Sequence, residues 1–149
     1  FELVEYLDVL SNILLPFSIN STLSLSSEVR AKAAEFAGAM GLAGKLGRKS
    51  AQLSQGEQQR VAICRALITE PELVLADEPT GNLDPDNKRR ILELIFQLAE
   101  KKHQTVMVVT HDMGILSGFD RVIDFEQIRV ATVAGENLET RRGDMGEQE

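Results

Sequence analysis

Leu3, Leu7, Leu10 and Leu14 recur at helical spacing, with Asp8 placed to cap a helix and Pro16 to stop it. Residues 18–27 are rich in Ser and Thr and read as a loop. Residues 28–40 alternate Ala with charges, which predicts a helix ended near Gly41. A polar connector over residues 44–52 follows. Ser54 and Glu57 then form the S-x-x-E pattern of a capping box. Val61, Ala62, Cys64, Arg65, Leu67 and Ile68 carry that helix to about Thr69, and Pro71 prevents its extension. Residues 73–76 are a continuous apolar run, as a parallel strand covered on both faces requires. Asp84-Pro85 starts another helix, with Ile91, Leu94, Ile95 and Leu98 as its buried stripe. Residues 105–110 read as a second buried strand. Strand, helix, strand predicts a βαβ unit whose strands run parallel with a right-handed crossover. A short helix over 113–118, strands near 121–125 and 128–134, and a polar, acidic tail from Gly135 complete the pattern.

Composition narrows the classes. The chain has 149 residues, 43% hydrophobic and 26% charged, which suits one globular domain with a sizeable core. Its longest apolar runs are strand-sized and far short of a bilayer span. A net charge of −7 repels phosphate backbones, so no nucleic-acid partner is expected. The short basic groups Lys45/Arg48/Lys49, Lys88/Arg89/Arg90 and Arg141/Arg142 read as solvated faces. A single cysteine, Cys64, cannot form an intramolecular disulfide and fits a reducing cytoplasm. Within a helix it reads as a small buried hydrophobe.

In open α/β sheets, function gathers beyond the carboxyl ends of the strands. Asp77 and Glu78 end the first strand and His111 directly follows the second. If these strands are neighbours, about 4.8 Å apart, the acid pair and the imidazole share one sheet edge. Such an edge suits phosphoryl transfer: a carboxylate for Mg²⁺, a base for the attacking water, and a donor for developing charge. The helix start at Ser54-Gln55-Gly56 adds free backbone amides, a hydroxyl and room for close approach, a ready anion site. Taken singly, an Asp-Glu pair is two solvated charges and one S-x-x-E is an ordinary capped helix. Their occurrence in one order is what carries the reading.

LSQGEQQR over 53–60, LVLADEPTGNLD over 73–84 and VVTHD over 108–112 together resemble the back half of an ATP-binding-cassette ATPase: signature motif, Walker B strand with D-loop, and switch histidine. The resemblance runs from residue 1 to about 125. It implies the α/β fold of the C-terminal part of a RecA-like P-loop NTPase, with a mostly parallel sheet and a helical signature subdomain. Residues 1–72 would form the helical, membrane-subunit-facing part, 73–134 the Walker B to switch-histidine core, and 135–149 the tail. Asp77 would be the magnesium aspartate, Glu78 the catalytic base, His111 the switch histidine and Asp84 the D-loop aspartate. Ser54, Gln55, Gly56 and Glu57 would face ATP held mainly by an opposite monomer. The implied cofactors are ATP and Mg²⁺. The implied partners are a second cassette and a transmembrane permease subunit, placing the protein on the inner face of the cell membrane. Residues 76–84 are similar to the bacterial branch of lipoprotein-release, macrolide-efflux and cell-division cassettes. Departures are Gln55 where a glycine is commonest, Glu57 where glutamine is, and Phe125-Glu126-Gln127-Ile128 in place of an Asp-Gly hairpin turn.

No phosphate loop of the form G-x-x-x-x-G-K-[ST] is present: at Gly44-Lys45, Ala39 stands at the first glycine position and Leu46 at the hydroxyl position. The chain is therefore expected to be the C-terminal segment of a longer cassette, lacking the phosphate-loop strand and inactive alone. A non-catalytic module docking on a partner cassette or permease is the alternative.

Overall fold

A computed structural model describes residues 2–81, 85–101 and 104–125. The chain divides into two compact units, residues 1–112 and 113–149. In the first, α1 (Val9–Ile13) and α2 (Leu15–Ile19) precede α3 (Ser27–Ala39), α4 (Gln55–Leu67), β1 (Leu73–Asp77), α5 (Pro85–Lys101) and β2 (Thr105–Val109). The second unit's described part is a 3₁₀ segment, Met113–Gly118, followed by residues 119–124 without regular structure.

Asp8 caps α1 as expected, its carboxylate accepting from the Ser11 amide. The helix does not reach back to Leu3, however. Residues 4–8 instead wrap around the fully buried Asn12, whose amide nitrogen donates to the carbonyls of Val4, Leu7 and Asp8 and whose oxygen accepts from the Val4 amide. A buried amide must satisfy its hydrogen bonds, and here it takes them from backbone that a helix would have consumed. Pro16 also departs from expectation: it lies in the first turn of α2, where its missing N–H costs nothing, and helix continues to Ile19.

Ser26 caps α3, and Gly41 leaves it at φ 71°, a left-handed exit suited to glycine. The polar connector contains two 3₁₀ turns, Ala43–Lys45 and Ser50–Gln52. It lies along the chain entry to α1, with Val9 donating to Arg48 O at 3.0 Å and Ser50 to Leu7 O at 3.2 Å. Helices α1, α3 and α4 share a core through Ile13, Ala33, Ala37, Val61 and Cys64, all with no exposed surface. Helix α5 adds Ile91 and Ile95 to that core, with Leu94 half-buried against it. Nothing is described of the Leu98 side chain.

β1 and β2 pair in parallel, Leu73 opposite Thr105 through Asp77 opposite Val109, as the βαβ pattern predicts. Coverage is a correction. Val74 packs into the core, but Leu73, Leu75, Met107 and Val109 are each about half exposed or more. The side chains alternate between faces, so one face packs on the helices while the other is open. Residues 121–124 carry no strand either, and Val122 and Ile123 are exposed. An extended segment holds as a strand only where a neighbouring edge takes up its backbone groups. The expected strand over 128–134 and the tail from 135 lie outside the described residues.

Burial pushes the Cys64 thiol up to about 12 from an ordinary 9.0. A thiol reagent at neutral pH should therefore label the folded chain about a thousandfold more slowly than the urea-unfolded chain, because only thiolate reacts. Release of the chromophore from a disulfide reagent measures both rates.

Candidate functional site

The pairing of β1 and β2 carries the site. Beyond Asp77 the ladder gains one more bond, Glu78 N–H to Val109 O at 2.9 Å. Glu78 then takes φ 45°, a left-handed conformation costly for a residue with a Cβ. The Gly81 amide closes the turn by donating to Glu78 O at 3.1 Å. The bend turns the Glu78 carboxylate toward the end of β2. There Oε1 accepts from the His111 backbone amide at 2.8 Å and lies 2.6 Å from His111 Nδ1, while Oε2 accepts from Thr110 Oγ1 at 3.2 Å.

Burial pushes the Glu78 carboxyl up, but the hydrogen bonds from the His111 ring and amide and from Thr110 outweigh it. The net effect holds it below the ordinary carboxylate value. An ionised carboxylate only accepts, so His111 presents Nδ1–H to it, which leaves Nε2 for other partners. His111 has 85% of its side chain exposed and Glu78 33%, so both reach solvent. Thr110 Oγ1 accepts from the Asp112 amide at 3.0 Å, and Lys88 of α5 pairs with the Asp112 carboxylate at 2.7 Å. The strand end is thereby tied to the helix that crosses between the strands.

Asp77 is exposed at the last paired position of β1. Among the described residues no three His, Cys, Asp or Glu side chains cluster to hold a metal. A lone carboxylate suits Mg²⁺ whose other ligands are phosphate and water, and does not suit an all-protein cage. Asp84 lies outside the described residues.

The helix start forms as the sequence predicts. Ser54 Oγ accepts from the Glu57 amide at 3.3 Å and the Glu57 carboxylate accepts from the Ser54 amide at 3.0 Å, a complete capping box with Ser54 and Gln55 exposed. Two residues were not legible beforehand. Lys45, read as part of a solvated basic face, pairs with Glu57 and neutralises the charge that stands at the N-terminal end of α4. Gln59, buried one turn further on, donates its amide to the carbonyls of Glu78 and Pro79. Only the fold reveals either contact, since each joins segments at least a dozen residues apart. A cleft of about 730 Å³ between α2, α4 and β1 is lined by Pro16, Ile19, Ala62, Leu75 and Asp77 among others; neither Glu78 nor His111 lines it.

Residues 2–81, just over half of the chain, match the family profile described as ABC transporter. The chain belongs to the ABC transporter family. Among curated relatives, the lipoprotein-releasing system ATP-binding protein LolD of Hydrogenovibrio crunogenus is 41% identical over 80% of this chain and 51% of its own length. LolD of Ruegeria is 40% identical over 83% of this chain and 54% of its own. A dimeric bacterial ABC transporter cassette, MJ0796, superposes with a TM-score of 0.69 at 40% identity, over 76% of this chain and 50% of that one. A post-hydrolysis state of the same cassette bound to ADP and Pi gives 0.68. The chain spans about half the length of the curated relatives it matches.

The Lys45 ion pair, the Ser54 amide and the Arg60 charge lower the Glu57 carboxyl against its partial burial. A depressed folded pKa means that this contribution to stability is complete above the ordinary 4.5 and is lost as pH falls through the lowered folded value. Denaturation midpoints of wild type and Glu57→Gln should therefore differ at neutral pH and converge in acid, read by circular dichroism across a pH series.

Proposed function

We propose that this chain supplies the signature, Walker B and switch-histidine elements of an ATP-hydrolysing cassette subunit serving a membrane permease. The contact between Glu78 and His111 at 2.6 Å carries the reading, because it joins two groups 33 residues apart at one strand end. Residues 1–72 form the helical, permease-facing part in this reading and 73–134 the catalytic core. The lipoprotein-release relatives favour that branch over other cassettes.

In the proposed mechanism the ionised Glu78 accepts a proton from the attacking water, and its left-handed backbone aims the carboxylate across the strand ends. His111 leaves Nε2 for the γ-phosphate while Nδ1–H stays on Glu78, so one residue orients the base and touches the transferred group. Asp77 would hold Mg²⁺, which would supply charge neutralisation for the phosphates. Ser54, Gln55, Gly56 and Glu57 present amides and a hydroxyl to nucleotide on a second cassette, with Lys45 cancelling the Glu57 charge. Asp84 completes the set as the D-loop aspartate. A phosphate loop, which no stretch of this sequence supplies, has to come from elsewhere in the assembled cassette.

The alternative, a module that docks without turnover, draws on the open apolar face of Leu73, Leu75, Met107 and Val109. ATP titration separates the two readings once the chain is joined to a phosphate-loop half from a relative. The joined protein should hydrolyse Mg-ATP, and the 149-residue chain alone should not. Glu78→Gln should lower turnover by about a hundredfold or more while sparing ATP binding. His111→Ala should cut turnover comparably. Phosphate release in the Glu78→Gln variant at the wild-type rate would remove Glu78 from the role of base.

A further inference from the structure

Gln59 lies in the second turn of α4, 3% exposed, with its amide nitrogen between two backbone carbonyls of another segment. Nε2 is 3.4 Å from Glu78 O and also donates to Pro79 O. Its own oxygen is buried with no hydrogen-bond partner among the described residues. Turning the amide over would set that oxygen against both carbonyls, so the donor orientation is the one this site accepts. The two carbonyls belong to the turn in which Glu78 holds φ 45°, and Glu78 O also receives the Gly81 amide. A left-handed non-glycine residue persists only where its surroundings over-determine it. Three contacts converge on that residue's backbone: Val109 on its N–H, and Gly81 and Gln59 on its carbonyl. Gln59 is the one that comes from outside the β1–β2 sheet and its turn.

We propose that Gln59 is a positioning residue: by clamping the Glu78 and Pro79 carbonyls to α4 it fixes the turn that aims the Glu78 carboxylate at His111 and Thr110. The proposal rests on the reading of Glu78 as the base for its functional meaning, and on geometry alone for the clamp. Ser54, the cap of the same helix, stands only about 7.5 Å from Gln59 along the axis. The nucleotide-facing helix end and the backbone of the base are thereby carried by one rigid element.

Gln59→Met keeps the length and bulk of the side chain and removes the donor. In the 149-residue chain, amide hydrogen exchange at Gly81 and His111 should accelerate about tenfold or more, while the Ile68 amide, which closes the end of α4 onto Cys64 O, keeps its wild-type rate. The His111 amide resonance should move in the direction that Glu78→Gln moves it, since that amide donates to the Glu78 carboxylate. A residue that only fills the core would loosen α4 and β1 together and leave the His111 resonance without that signature; either result overturns the proposal. Should Gln59→Met not fold, Gln59→Asn, whose amide is one methylene short of the carbonyls, gives the same readout. Failure of both to fold would show Gln59 to be a core support and overturn the proposal as well. In the joined cassette, Gln59→Met should lower kcat about tenfold with KM for ATP unchanged. Persistence of turnover in Glu78→Gln would instead remove the base assignment while leaving the exchange result standing.

Discussion

The extra rung that joins Glu78 N–H to Val109 O, one step past the paired strands, decides where the site's chemistry lies. It holds the backbone of Glu78 in register with β2 while the chain turns left-handed, so the carboxylate crosses to the neighbouring strand. His111 and Thr110 then meet both of its oxygens. A parallel ladder brings equivalent ends of two strands together, and a helical crossover of one segment suffices to connect them. Without that register, the same residues would be two solvated charges and an exposed imidazole.

Helix α4 answers the sheet from the other side. Its capping box leaves Ser54 and Gln55 exposed at a helix start where free amides gather. An acidic Glu57 there satisfies the helix end but opposes an anionic ligand. Lys45 resolves the conflict locally, because an ion pair beside the amides cancels the charge without removing the cap. The same helix buries Val61 and Cys64 against α1 and α3 and sends Gln59 to the Glu78 turn. Packing, capping and aiming are properties of one thirteen-residue element.

The sheet itself is half covered. Parallel strands ordinarily lie between two layers, yet Leu75 and Met107 face outward here with more than half their surface exposed. Two strands with one dry face have few backbone partners. About half the length of the matched relatives has its counterpart in this chain.

Much of the arrangement was legible in order and spacing alone. The Ser54–Glu57 capping box, the two strand-sized apolar runs, their parallel pairing and the meeting of Glu78 with His111 follow from local rules: hydrogen bonds to near neighbours and the geometry of a βαβ crossover. Local rules failed where a distant group competed. Asn12 took the backbone of residues 4–8 from a helix that the leucine spacing favoured, and Pro16 opened a turn that it was expected to close. Lys45 and Gln59 carry no periodic signal, because their partners become neighbours only once α4 lies against the sheet and the connector folds back. Patterns along the chain determined which elements exist and which strand ends meet. Tertiary packing decided which polar side chains hold those ends in place, since a buried donor finds its acceptor through space and not through sequence.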